Sequence, residues 1–213
     1  MKISITLLLL VLSNIIALSQ PQKFYPAEEF QSSLIRKKKS AIVIYNGSKH
    51  SFTIEIVGDS IKPDAKPYLL TVNNKILNIN LTQFQRKFGF DSLNEEFLKQ
   101  NLIGVMNYLK VQHHDSKDFG KKYEFMTLNG KTFLFWTCEM PISNKTIDKQ
   151  YYLETICYDQ VVVLSVPVMK GEEINLQSTY DNIKNFLTTI GKSLVFNNYP
   201  LDLEKLSKEL KGK

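Results

Sequence analysis

The residues of this sequence best suited to chemistry are its three histidines and two cysteines. His113-His114-Asp115, with Asp118 three residues on, is the one cluster of classical metal-ligand types. Adjacent residues on a helix point about 100° apart, so the two imidazoles lack the i, i+4 spacing that offers two ligands to one ion. A loop wrapping His113, His114 and Asp118 around a metal would make a metal-assisted hydrolase. The competing reading is a polar helix C-terminus, where imidazolium meets the helix dipole favourably. His50 falls in a hairpin turn with no partner visible in the sequence. No Gly-x-Ser-x-Gly elbow or Cys–His signature marks a nucleophile, and no Gly-rich phosphate loop is present. The doublets Glu28-Glu29, Glu95-Glu96 and Glu172-Glu173 read as surface pairs, whereas glycoside hydrolysis needs two carboxylates brought together from different elements. No cofactor is expected.

The N-terminus gives these residues a compartment. Lys2, the apolar stretch Ile3–Leu12 and the small-x-small site Ala17-Leu18-Ser19 have the three-part form of an export signal. That apolar run falls short of the roughly 20 residues of a transmembrane helix. The expectation is a signal over residues 1–19, cleavage before Gln20, and a periplasmic or secreted protein. In an oxidising compartment Cys138 and Cys157 are a candidate disulfide. They lie on strands near 131–140 and 150–158, joined through Ser143-Asn144-Lys145-Thr146. A register that pairs residues with an odd sum would place both sulfurs on one face. The alternative is two buried thiols packing as small hydrophobes, favoured because the most economical turn pairs Cys138 with Thr155.

The elements that would position these groups are legible in hydrophobic period and turn chemistry. Ala41–Tyr45 and Ser51–Val57 flank Asn46-Gly47, which reads as a tight hairpin turn with positive φ. Tyr68–Val72 and Ile76–Leu81 flank Asn73-Asn74-Lys75. Ser92 and Glu95 have capping-box spacing, and Phe97, Leu98, Leu102, Val105, Met106 and Leu109 form the apolar stripe of a helix. Tyr123–Leu128 and Lys131–Met140 flank Asn129-Gly130. Tyr151–Tyr158 then turns through Asp159-Gln160 into Val161–Val168. The runs Thr132–Trp136 and Val161–Leu164 are apolar at consecutive positions, so both of their faces should be covered. A second helix spans Leu176 to Ile190, with Gly191 as its expected end. A short helix with Leu203, Leu206 and Leu210 on one side closes the chain.

With 213 residues, 43% hydrophobic, 23% charged and a net charge of +6, the composition is that of a globular protein and excludes disordered, collagen-like and multi-span membrane classes. The expected organisation is a signal (1–19), one α+β domain (20–197) and an amphipathic helical tail (198–213). The order of hairpins, helix, meander and closing helix, with the Asn-Gly-Lys strand start at 129–131 and the helix end Thr189-Ile190-Gly191-Lys192-Ser193-Leu194, resembles the PsbP/DcrB-like fold over residues 92–196. Residues 21–90 depart from it, since the family's opening Pro-x-x-Trp segment is missing and the single tryptophan is Trp136. The resemblance implies an antiparallel sheet of about six to seven strands covered by helices on both faces. It also implies a non-catalytic role as an envelope accessory factor or adaptor. The partner expected is another envelope or secreted protein, or a small ligand, and not nucleic acid, because the charge is spread and export removes the chain from most of it. The expected contact surfaces are the basic run Arg36-Lys37-Lys38-Lys39 and the tail.

Overall fold

The computed structural model describes residues 28–64, 68–83, 95–113, 122–171 and 176–211. In chain order the elements are β1 (Gln31–Arg36), β2 (Ser40–Asn46), β3 (Ser51–Val57), β4 (Ile61–Pro63), β5 (Leu69–Val72), β6 (Lys75–Gln83), α1 (Glu95–His113), β7 (Lys122–Leu128), β8 (Lys131–Glu139), β9 (Ile147–Cys157), β10 (Gln160–Met169), α2 (Leu176–Lys192), β11 (Val195–Asn197) and α3 (Leu203–Lys211). The fold is α+β with antiparallel sheets. Seven strands pair in the order β4-β5-β6-β10-β9-β8-β7, and four more pair as β1-β2-β3-β11. The capping residue Ser92, together with His114, Asp115, Asp118 and the N-terminal signal, lies outside the described residues.

The second sheet departs from the single layer expected. Strands β2 and β3 turn Val43, Tyr45, Phe52, Ile54 and Ile56 toward Leu70, Val72, Leu77 and Ile79 of the large sheet, and all nine are buried in one cluster. The alternating pattern makes this face-to-face arrangement favourable, because a hairpin with one apolar side can bury it against another sheet. Tyr45 crosses the seam and donates its hydroxyl hydrogen to the Ile79 carbonyl at 3.0 Å. The same cluster takes in Ile183, Leu187 and Ile190 of α2. On this face the large sheet therefore packs against α2 and the small sheet together. On its other face Leu134, Trp136, Cys138, Val161 and Val163 pack against Phe97, Leu98, Leu102 and Met106 of α1. Strands β8 and β10 are correspondingly buried at consecutive positions.

At two glycines the structure departs from the local pattern. Asn46-Gly47 is not a tight two-residue turn: a four-residue loop, Gly47–His50, joins β2 to β3, closed by a bond from the Gly47 N–H to the His50 carbonyl at 2.9 Å. Positive φ at two successive turn residues occurs instead at Asn73-Asn74 (47° and 65°) and Asn129-Gly130 (47° and 74°). Gly191 does not end α2, which runs on to Lys192. Its role is close approach. A Cβ at this position would sit 2.8 Å from Leu153 Cδ2 and 3.2 Å from Leu128 Cδ1, both core side chains. Gly191→Ala should therefore destabilise by about 1–3 kcal/mol through overpacking, although alanine is the better helix former by about 1 kcal/mol. Urea denaturation is the check, and a stabilised variant would show that α2 does not press on β9 here.

Candidate functional site

The strongest convergence of chemistry-bearing side chains surrounds His50, and four chain segments build it. Glu28 comes from the residues before β1, His50 from the β2–β3 loop, Tyr158 and Asp159 from the β9–β10 turn, and Asn197 from β11. Glu28 Oε1 accepts the backbone N–H groups of Lys49 (2.5 Å) and His50 (3.1 Å), while Oε2 lies 2.6 Å from His50 Nδ1. The backbone of Glu28 is held as well. Its N–H donates to Asp159 Oδ2 at 3.3 Å, and its carbonyl accepts from Gln160 Nε2. Gly47 leaves the room this needs, since a Cβ there would stand 2.7 Å from Glu28 Cδ. Burial works to raise the Glu28 pKa, but the Lys49 and His50 hydrogen bonds and the nearby imidazole outweigh it and hold the carboxyl below its usual value.

The His50 ring stacks on Tyr158, with centroids 4.1 Å apart and planes inclined by 25°. Tyr158 has φ of +56°, a left-handed conformation that costs a bulky residue on the order of 1 kcal/mol or more. Its hydroxyl offsets that by donating to the Asn197 carbonyl at 2.7 Å, with the Ser51 carbonyl 3.2 Å away. Burial pushes this hydroxyl up to about 12, so it remains a protonated donor at neutral pH.

A carboxylate on Nδ1 of a histidine is the orienting half of a general-base pair. The hydroxyls near it among the described residues are already committed. Ser48 Oγ reaches toward Glu28 at 3.5 Å, Ser51 Oγ donates to the Tyr199 carbonyl at 2.8 Å, and Tyr158 is bound as above. Burial, reinforced by Asp159 and Glu28, drives the Cys157 thiol far above its ordinary range, where it is not a nucleophile. The arrangement acts as a clasp that fixes the start and the end of the domain against two hairpin turns.

A second polar group sits inside the apolar cluster under α1. Glu154, on β9, is 1% exposed. Its Oε1 accepts Trp136 Nε1–H at 2.8 Å and its Oε2 accepts Asn101 Nδ2–H from α1 at 3.0 Å. Tyr152 lies flat on Trp136, with centroids 3.9 Å apart. No ion pair neutralises Glu154 among the described residues. Desolvation raises its pKa to about 7 against the pull of the two donors.

The residues singled out in the sequence are dispersed. His113 is the last residue of α1, and among the described residues no three His, Cys, Asp or Glu groups are placed to hold a metal. Cys138 and Cys157 are both free and buried, one in each apolar cluster. The cause is register. β8 pairs with β9 through Cys138 and Gln150, an even sum, so residues 138 and 157 project from opposite faces. The basic run forms the β1–β2 turn. Arg36 donates to the Ile61 carbonyl at 3.1 Å, Lys37 pairs with Glu55 at 3.4 Å and Lys39 with Asp59 at 3.5 Å, while Lys38 is exposed. Glu28, expected as a surface carboxylate, is half-buried and paired with His50. Its partner is 22 residues away, and no spacing rule connects the two. Glu154 did carry a signal, as a lone carboxylate inside a strand of buried neighbours.

Comparison with known proteins finds no matching family model, no matching curated protein and no matching solved structure. Among the described residues no helix is long and apolar enough to cross a membrane.

Two measurements check this electrostatic account. Glu28 has a lowered folded pKa, so its contribution is present above its unfolded value and is lost as pH falls through the folded one. Glu28→Ala should cost about 1–3 kcal/mol in urea at pH 7 and less at pH 3; an equal cost at both would sever the effect from ionisation. Glu154 has the opposite sign. Its contribution is complete below its unfolded pKa and is lost as pH rises through about 7. The protein should lose about 2 kcal/mol of unfolding free energy between pH 5 and pH 8 relative to Glu154→Gln.

Proposed function

We propose that this chain is an exported, non-enzymatic binding or accessory module of the cell envelope, cleaved after Ser19 and acting through its surface. The observation that carries this reading is the commitment of its acid–base and thiol groups to internal structure. His50 and Glu28 hold each other, and Glu28 ties the β2–β3 loop to the β9–β10 turn. Burial pushes the Cys138 thiol up to about 11 and the Cys157 thiol higher still. Three of the four residues in the basic run have partners within the fold.

The PsbP/DcrB-like plan, a broad antiparallel sheet with helices over both faces, is part of the same proposal. It is supported by the packing of α1 on one face of the seven-stranded sheet and of α2 on the other. On this reading the four-stranded sheet is an addition to that plan, and it anchors the tail. Asn46 forms a reciprocal pair with Leu201, donating to its carbonyl at 3.0 Å and accepting its N–H at 2.7 Å. Asp202 caps α3 through the Lys205 N–H at 3.0 Å. The tail therefore leaves the domain from a fixed root, and its half-buried Leu203 and Leu206 offer a contact surface for an envelope or secreted partner.

Fractionation and affinity capture test the proposal together. The exported fraction should contain a chain whose mass begins at Gln20. A partner held by the intact chain should be lost on deletion of residues 200–213, with cooperative urea unfolding of the remaining domain retained. Retention of the uncleaved chain in the cytoplasm would defeat the assignment to the envelope, and undiminished capture by the truncated chain would remove the tail from the contact.

A further inference from the structure

The two helices are attached to the large sheet by different means. α2 is pressed onto β9 at Gly191, shares a cluster with both sheets, and is tied to β7 by Lys184 and Glu124 at 2.6 Å. α1 rests on apolar contacts with β8, β9 and β10, and among the described residues Asn101 links it to the sheet by a hydrogen bond to Glu154. That bond ends on a carboxyl group sealed from water. Whatever changes the charge of Glu154 changes the cost of keeping α1 in place.

The surroundings of Glu154 leave that charge uncompensated. On β8 its register partner is Leu134, with Trp136 and then the Cys138 thiol further along the same face; on β9 its same-face neighbours are Tyr152 and Ile156; on β10 its partner is Val163. α1 presents the neutral Asn101. The charged residues Glu95 and Glu96 of α1 are exposed and Lys99 and Lys110 half-buried, and none of the four forms an ion pair with Glu154 among the described residues. On β7 the acidic Glu124 belongs to the opposite face, with Lys184 and Tyr180.

We propose that α1 is a proton-controlled cover, closed over the Leu134–Trp136–Cys138 face while Glu154 carries a proton and released from it when Glu154 ionises. In the closed, neutral form Trp136 donates to one carboxyl oxygen, and the protonated oxygen donates to the Asn101 side-chain carbonyl after its amide turns over, so both carboxyl oxygens keep a partner. Loss of the proton leaves a full negative charge held by two neutral donors in an apolar layer. Lifting α1 hydrates that charge at the expense of the apolar contacts of Phe97, Leu98, Leu102 and Met106. The upward shift of the Glu154 pKa, from 4.5 to about 7, is in line with this balance and places the response around neutrality.

Amide hydrogen exchange on the folded chain, expressed as protection factors, distinguishes this from ordinary fraying. Residues 95–113 should be less protected than α2 at both pH 6 and pH 8, and should lose about tenfold in protection between them, the ratio that one carboxyl of these two pKa values gives. Glu154→Gln should abolish the change. The proposal is overturned if α1 protection is the same at both pH values, if it equals that of α2 throughout, or if the glutamine variant keeps the response. Should that variant not fold, Asn101→Ala decides: it should lower α1 protection at pH 6 toward the wild-type level at pH 8, and an unchanged α1 would refute the cover.

Discussion

Strands β8, β9 and β10 lie between two apolar layers, and that constraint governs what their side chains are allowed to be. Along β8 six consecutive residues from Phe133 to Cys138 are buried, and β10 is buried from Gln160 through Val166. A polar group in such a layer must find its partner inside the protein or pay the desolvation cost outright. Thr155 resolves this by donating to the Thr132 carbonyl at 2.8 Å. Glu154 finds Trp136 and Asn101. The position of α1 is thereby linked to the composition of β9, because without Asn101 the Glu154 carboxyl would keep a single donor.

The ends of the domain obey a different logic. They are secured by polar ties. Glu28 is gripped at its N–H, its carbonyl and both carboxylate oxygens, while Ser51, Asn197 and Tyr158 knit β3 to β11 and the β9–β10 turn. Phe30 seals the region against Phe52, with ring centroids 5.5 Å apart. A charge-assisted hydrogen bond in this half-buried setting contributes more than an exposed pair such as Lys39–Asp59, whose side chains are 74% and 84% exposed. The basic turn consequently adds little to the fold, and the clasp at Glu28 adds much.

Patterns that depend only on neighbours in sequence were readable in advance. The stripe Phe97, Leu98, Leu102, Met106 is the buried face of α1, Asn129-Gly130 has the positive φ values its turn requires, and the unbroken apolar runs of β8 and β10 are buried at consecutive positions. Features that depend on residues distant in sequence were not. Whether Cys138 and Cys157 share a face depends on one residue of register, and the loop over 140–146 decides it. Gly47 and Gly191 look like turn and cap, yet each makes room for a side chain from elsewhere, Glu28 in one case and Leu153 in the other. Only contact between distant segments distinguishes such a glycine from a punctuating one.

The two helices show why similar amphipathic stripes need not be equally secure. Apolar burial is non-directional and tolerates sliding or lifting at a cost that grows smoothly with exposed area. Close approach at a glycine is different: Gly191 lets the α2 backbone settle against Leu153 and Leu128 in one geometry, and the Lys184–Glu124 pair adds a charged tie at the helix flank. α1 has Gly104 on its length, but an added Cβ there would meet nothing within 4 Å, so that glycine brings it no nearer to the sheet. What sets the register of α1 beyond its apolar stripe is the directional bond between Asn101 and Glu154. The helix with the least steric interlock is thus the one whose polar tie ends on an ionisable group, and its hold on the sheet inherits the sensitivity of that group to charge.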